Sequence, residues 1–186
     1  MITEEIHDRI SAIKSLTENN DTFDIEKISQ LIELILQKFE TGSRIAFVGN
    51  GGSAAEAMHL AAEFTGRCVI NHKPLPVLCL NESQSALTAI ANDFGVSEIF
   101  SRQVQAHLKE GDVLIALTTS GKSENIQRAV KAATEIGATV IVWMGDFDFE
   151  LTDVEVWRVP SKSTPRIQEI HLMWGHIIAE LVETKI

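Results

Sequence analysis

Basic charge is scarce in this sequence: 16 Lys plus Arg stand against 26 Asp plus Glu in 186 residues, a formal net charge of −10. An acidic surface repels polyanions, which argues against general nucleic-acid or anionic-membrane binding. A phosphate-bearing ligand would need a local cradle of neutral donors. Cysteine is nearly absent. Cys68 and Cys79 are the two present, sit in apolar surroundings without metal-type spacing, and read as reduced, buried thiols. No apolar run reaches the roughly 18 residues of a membrane span. The start, Met1-Ile2-Thr3-Glu4-Glu5, is acidic and lacks the apolar centre of a signal peptide. A cytoplasmic protein is the expectation. There is no internal repeat and no low-complexity linker.

What is present is an ordinary globular composition, 45% hydrophobic, at a length that suits one domain over residues 1–186. Residues 1–42 read as a helical pair. Ile6, Ile10, Ile13 and Leu16 fall at helical spacing before Asn19-Asn20-Asp21 interrupts it, and Ile25, Ile28, Leu31, Ile32, Ile35 and Leu36 form a second apolar face. Such a pair can cap a sheet or pack against a partner chain.

From residue 44 the periodicity changes. Short apolar runs at 44–49, 75–80, 112–117, 138–143 and 154–159 alternate with helical stretches at 53–66, 84–92, 98–109 and 123–137. Continuous apolar strands between helices predict a mostly parallel five-stranded sheet covered on both faces. The segment 164–184 has no strand after it and reads as a closing helix. The expected fold is a three-layer α/β/α sandwich, with residues 44–186 as the α/β core and closing helix.

In open α/β sheets the ligand sits beyond the carboxyl ends of the strands, and two turns there have unusual chemistry. Gly49-Asn50-Gly51-Gly52-Ser53 lets the backbone approach a ligand, with Ser53 placed to cap the following helix. Thr118-Thr119-Ser120-Gly121-Lys122-Ser123 crowds hydroxyls at a helix start, where free N–H groups and the dipole favour an anion. Each turn taken singly is also explained as a tight turn with a helix cap. Neither matches a nucleotide fingerprint, so no nucleotide cofactor is expected. Two such loops on one sheet edge favour a small phosphorylated ligand.

His59 and Glu63 lie at i and i+4 on the helix leaving the first loop and share a face. They offer a base with an imidazole, two metal ligands, or a plain surface pair. On the closing helix Gln168 and His176 are about 80° apart around the axis and about 12 Å along it. One site beside that helix, within the subunit or across a subunit boundary, would serve both. Gly175 would allow a close approach of backbone or ligand there. His171 and His176 otherwise read as ordinary helix residues.

The run Gly49-Asn50-Gly51-Gly52-Ser53, with Ala57-Met58-His59-Leu60-Ala61-Ala62-Glu63-Phe64-Thr65-Gly66-Arg67, closely resembles the phosphoheptose isomerase family of sugar isomerase (SIS) domains. The likeness continues through 87–95, 99–104, Gly111-Asp112-Val113-Leu114 and Thr119-Ser120-Gly121 to Pro165-Arg166-Ile167-Gln168-Glu169-Ile170-His171 and His176. It runs from residue 44 onward, while the N-terminal pair matches only in pattern.

The resemblance implies a flavodoxin-like SIS fold and a homotetramer. It implies conversion of sedoheptulose 7-phosphate to D-glycero-D-manno-heptose 7-phosphate, which supplies the heptoses of bacterial surface glycans. By the same resemblance Glu63 and His176 form the acid/base pair, and His59, Glu63, Gln168 and His176 can bind zinc. Substrate contacts map to Asn50, Gly51, Gly52, Ser53, Glu63, Asn92, Asp93, Thr118, Thr119, Ser120, Ser123 and Gln168. Some relatives of this family lack the acid/base pair and bind the bacterial replication initiator protein instead, and this chain keeps both Glu63 and His176. Thr118 replaces a usual serine, Lys122 a common asparagine, and residues 145–150 lack a frequent glycine pair. These departures bear on substrate preference.

Overall fold

The computed structural model describes residues 2–186, in which five strands form one sheet: β1 Ile45–Gly49, β2 Val77–Cys79, β3 Val113–Leu117, β4 Thr139–Met144 and β5 Glu155–Arg158. The strand order is β2-β1-β3-β4-β5, and every pairing is parallel, where a mostly parallel sheet was expected. β1, β3 and β4 are buried along almost their whole length, because helices cover both sheet faces.

One face receives α2 Ile25–Glu40, α3 Gly52–Thr65 and α7 Thr164–Glu183. Ile35, Phe64, Ile170, Trp174 and Ile178 meet Phe47, Ile115 and Trp143 of the sheet there. The other face receives α5 Ser101–His107 and α6 Glu124–Glu135, whose Val104, Ile126, Ala129 and Val130 meet Val48, Leu114, Ala116 and Val142. The strands therefore alternate side chains between two cores, which is why they read as unbroken apolar runs.

α2 starts at Asp24, whose side chain accepts from the Lys27 amide at 3.1 Å, and it buries Ile28, Leu31, Ile32 and Ile35. α1, Ile2–Thr17, buries Leu16 alone, so Ile2, Ile6 and Ile10 stand exposed. α4, Gln84–Phe94, buries no residue.

Two expected elements differ. The helix expected over 98–109 is shorter, because Gly95 at φ +94° reverses the chain into a 3-10 turn over Val96–Glu98 before α5 begins. β2 spans only three residues: Leu75 donates its amide to Phe64 of α3 rather than to the sheet, and Pro74 and Pro76 have no amide to give. Among the described residues no helix is long and apolar enough to cross a membrane.

α7 crosses the sheet against α3. A Cβ on Gly175 would lie 2.2 Å from Leu60 Cδ2, 2.6 Å from Cδ1 and 2.9 Å from Cγ, and Leu60 is fully buried. The close approach open to Gly175 is thus to α3. Nearby, His171 is fully buried among Trp143, Trp174 and their neighbours. It is a core residue, and burial pushes its pKa down to about 3, against a partial rise from the Met144 backbone. Trp174 donates to the Thr22 carbonyl at 2.7 Å, which ties α7 to the α1–α2 turn.

Gly175→Ala should therefore destabilise the protein by about 1–3 kcal/mol, the usual cost of overpacking, despite the better helix propensity of alanine. Urea unfolding of the variant checks this. Adding Leu60→Ala should return less than a full further loss, because the two side chains would share one space.

Candidate active site

The strand order places the site. From β1 the chain returns through α3 to β2 on one side, while β3 lies on the other. The turns after β1 and β3 diverge and leave a crevice at the carboxyl ends of the strands. The two loops singled out from the sequence are those turns.

Side-chain amides hold the crevice in shape. Asn50 and Asn125 exchange hydrogen bonds at 2.8 and 3.0 Å, joining the first loop to the first turn of α6. Asn81, just after β2, accepts from the Gly49 amide at 3.1 Å and donates to its carbonyl at 2.9 Å. Gly49 must be glycine, since a Cβ there would lie 2.3 Å from the Ser53 carbonyl oxygen. In the second loop the Gly121 amide donates to Thr118 Oγ1 at 3.2 Å, and Gly121 has φ +70°.

Ser53 does not cap α3. The cap position is Gly51, without a side-chain bond, and Ser53 lies inside the first turn. Its Oγ accepts instead from Gln168 Nε2 of α7 at 3.3 Å. Ser123 occupies the cap position of α6 without using its hydroxyl there.

Two hollows open from the crevice. One, of about 160 Å³, is lined by Asn50, Gly52, Ser53, Thr118, Thr119, Ser123 and Gln168, among others. The second, of about 710 Å³, is lined by Gly52, Glu56, His59, Gln168, Glu169 and His176 with apolar neighbours. Gly52 and Gln168 belong to both, so the hollows form one cleft. Gln168 can cross it only because residue 52 is glycine: a Cβ would lie 2.4 Å from Gln168 Nε2.

At the far end His59 Nε2 and His176 Nε2 are 2.8 Å apart, and Glu63 Oε1 is 3.4 Å from His59 Nε2. The three residues present ligand atoms all within 4.8 Å of one another. Two imidazoles and a carboxylate converging so closely are a donor set of the kind that can hold a metal ion. The residues fit a metal.

Of the expected site residues, Asn50, Gly52, Ser53, Thr118, Thr119, Ser123 and Gln168 line the smaller hollow. His59 and His176 reach the larger one, with Glu63 beside His59. Gly51 and Ser120 belong to the same loops. Asn92 and Asp93 line neither hollow. They lie exposed on α4, bonded to each other at 2.8 Å.

Several residues drew no notice in the sequence. Asn81 and Asn125 carry no spacing signal, because their partners lie 32 and 75 residues away. Glu56 is 5% exposed and lies between Ser53 and His59 on α3. Burial raises its pKa to about 7, partly offset by the Ser53 hydroxyl. Cys68, by contrast, reads in the sequence as a buried thiol and is half-buried. Burial, then hydrogen bonding to Glu63, pushes its thiol up to about 12, so it remains a neutral thiol and no nucleophile.

The fold and cleft define a class: the chain belongs to the SIS-domain family, whose model matches residues 10–145. The chain is 44% identical over 170 residues to the phosphoheptose isomerase of Clostridium acetobutylicum, covering 87% of this chain and 84% of that protein. Two solved structures agree in fold over nearly every residue. The phosphoheptose isomerase of Neisseria gonorrhoeae superposes with a TM-score of 0.89 at 36% identity, covering 99% of this chain and 100% of that one. That of Francisella tularensis superposes with a TM-score of 0.91 at 28% identity, covering 99% of each. Within the SIS domains, then, this is a member of the phosphoheptose isomerase family.

The raised pKa of Glu56 gives a signed expectation. Between pH 4.5 and about 7 the folded protein binds one proton more than the unfolded chain at this residue, so the stability linked to that proton is lost as pH rises through this window. Glu56→Gln removes the effect. It should gain on the parent from about pH 5 to about pH 8, by on the order of 2–3 kcal/mol, in paired urea titrations.

Proposed function

We infer that this protein is an aldose–ketose isomerase that converts sedoheptulose 7-phosphate to D-glycero-D-manno-heptose 7-phosphate. The observation that carries the reading is the convergence of His59, Glu63 and His176 at one end of a cleft whose other end is built from neutral phosphate-type loops. Its family membership and the named relatives support the substrate. A non-catalytic role binding the replication initiator is not favoured.

The reaction moves a carbonyl from C2 to C1. A base takes a proton from C1 to give an enediol, the proton goes back to C2, and a second group exchanges the hydroxyl proton between O1 and O2. Glu63 serves as the base at carbon and His176 as the group that protonates and deprotonates the oxygens. Asn50, Gly51, Gly52, Ser53 and Gln168 hold the sugar chain, and Thr118, Thr119, Ser120 and Ser123 take the phosphate at the start of α6. Amides and hydroxyls suffice there, because the α6 N-terminus supplies positive potential without a basic field. The Ser123 hydroxyl, unused as a cap, is available to the phosphate.

His59, Glu63, Gln168 and His176 would hold a zinc ion, which supplies Lewis-acid polarisation of the carbonyl. A nitrogen of His176 engaged with a metal has no lone pair for a proton, so one His176 nitrogen does only one of these jobs at a time. No nucleotide takes part.

The protein works as a homotetramer in the cytoplasm, with residues 1–186 acting as one SIS domain and feeding bacterial surface-glycan synthesis. The outward Ile2, Ile6 and Ile10 of α1, and α4 with no buried residue, suit contact with other copies. Asn92 and Asp93, which line neither hollow of their own chain, then join the substrate site of a neighbouring copy. Sedimentation should show a single tetrameric species. Co-expressing Glu63→Gln with Asp93→Ala should restore activity that each lacks alone. A stable monomer, or no complementation, would overturn the shared site.

The chemistry has its own test. Glu63→Gln and His176→Asn should each lower kcat by about 10²–10⁴-fold, the usual contribution of a positioned acid or base. The double variant should lose far less than the product of the two, since both act on one transition state. The C1 proton should exchange with solvent deuterium in the parent and stop exchanging in Glu63→Gln. No isomerisation of any heptose phosphate by the parent would sink the assignment.

A further inference from the structure

Three cations at the carboxyl end of the sheet have no part in the proton transfers. Lys122 follows β3, Arg158 ends β5, and Lys162 stands between β5 and α7. All three are exposed, and with Asp146, Phe147 and Asp148 of the turn after β4 they line one hollow of about 440 Å³. It shares no lining residue with either hollow of the cleft. Ser123, next to Lys122, and Thr164, two beyond Lys162, line the smaller of those, so the two spaces lie on either side of the same loops.

Backbone contacts fix the walls. The Gly145 amide donates to the Thr119 carbonyl at 3.0 Å, and the Asp146 amide to the Ser161 carbonyl at 2.9 Å. The turn after β4 is thereby joined to both loops that carry the lysines. Gly121 packs on that turn without a side chain: a Cβ there would lie 2.8 Å from Met144 Cε and 2.9 Å from Phe149 Cδ2. Arg158 Nη1 donates to the Phe147 carbonyl at 2.6 Å and meets Met144 Sδ at 3.2 Å. That holds the guanidinium and leaves its Nε and Nη2 for a ligand. Lys162 Nζ stands 5.8 Å from the centre of the Phe147 ring.

Among the described residues none of the three cations has a carboxylate oxygen at ion-pair distance, although two aspartates share the hollow. Three cations against two carboxylates leave it positive on a chain of net charge −10. Unpartnered like charges repel, and an anion seated between them relieves the repulsion. Ammonium and guanidinium groups are the side chains that hold phosphate. Carboxylates accept from hydroxyls, which suits a phosphate carried on a sugar.

We propose that this hollow is a second anion site, separate from the cleft, that takes a phosphate group on Lys122, Arg158 and Lys162. The site does not depend on the isomerase reading, and its test uses no turnover.

The full-length protein carrying Ser120→Ala and Ser123→Ala, which weaken the phosphate loop of the cleft, is dialysed to equilibrium against radiolabelled inorganic phosphate. About one phosphate per chain should bind, more weakly as sodium chloride is raised. In that background Lys162→Gln, outside the phosphate loop, should weaken binding about tenfold, the weight of one charge-assisted hydrogen bond. Adding Lys122→Gln should weaken it further, and Lys162→Arg should bind as the parent does. Lys131→Gln removes an α6 charge paired with Glu135 at 3.8 Å, and it should change nothing. Competition with glucose 6-phosphate separates the two sources of the group. Displacement at lower concentration than by unlabelled phosphate supports a sugar phosphate held also by Asp146 and Asp148, and equal concentrations support free phosphate. No binding at millimolar phosphate overturns the proposal. So does unchanged binding in Lys162→Gln with Lys122→Gln, or an equal loss in Lys131→Gln, which would mark a response to net charge alone.

Discussion

The contact between α3 and α7 is the constraint on which the site depends. Its tightest point is Gly175 against Leu60, where there is no room for even one methyl group. That approach brings His176 to His59, and Gln168 to Gly52 and Ser53. α3 alone offers a histidine and a glutamate on a helix face, and α7 alone a glutamine and a histidine. Functional side chains have to be held to fractions of an ångström, and the packing of α3 on α7 holds these four together. The packing of Trp174 with Trp143 and Trp157 beneath the crossing fixes α7 from the other side.

Electrostatics set the second constraint. A chain of net charge −10 cannot gather a phosphorylated sugar by a long-range positive field. It can do so only through short-range donors, and the crevice between β1 and β3 supplies them as loop amides, hydroxyls and a helix N-terminus. Their rigidity comes from Asn50 with Asn125 and from Asn81 on Gly49. Donors already in place lose little entropy when a ligand arrives.

The layered fold and both loops were legible because they depend on local signals. Strands buried on two faces must be continuously apolar, and turns that approach a ligand need glycine, so 44–49 followed by Gly49-Asn50-Gly51-Gly52-Ser53 could be read directly. Boundaries were less legible where a single backbone feature intervened. The 3-10 turn that follows Gly95 delayed the start of the helix expected from residue 98, and Pro74 with Pro76 shortened a strand. The capping role expected of Ser53 was also wrong, since the helix begins one residue earlier and the hydroxyl is taken by Gln168 from a distant element.

The sequence by itself determined the alternation of strands and helices, the chemistry of the two loops and the His59–Glu63 pair, because each rests on periodicity or on neighbours within a few residues. Through likeness to a family it also pointed to Gln168 and His176. Only the tertiary structure decided that His171 is a core residue while His176, five positions on, meets His59. It alone showed Glu56 to be a buried acid and Asn92 and Asp93 to lie exposed on α4. Burial and long-range contact belong to the packed whole: a helix face turns inward or outward according to what lies against it, and residues a hundred positions apart carry no sign of each other in a single chain.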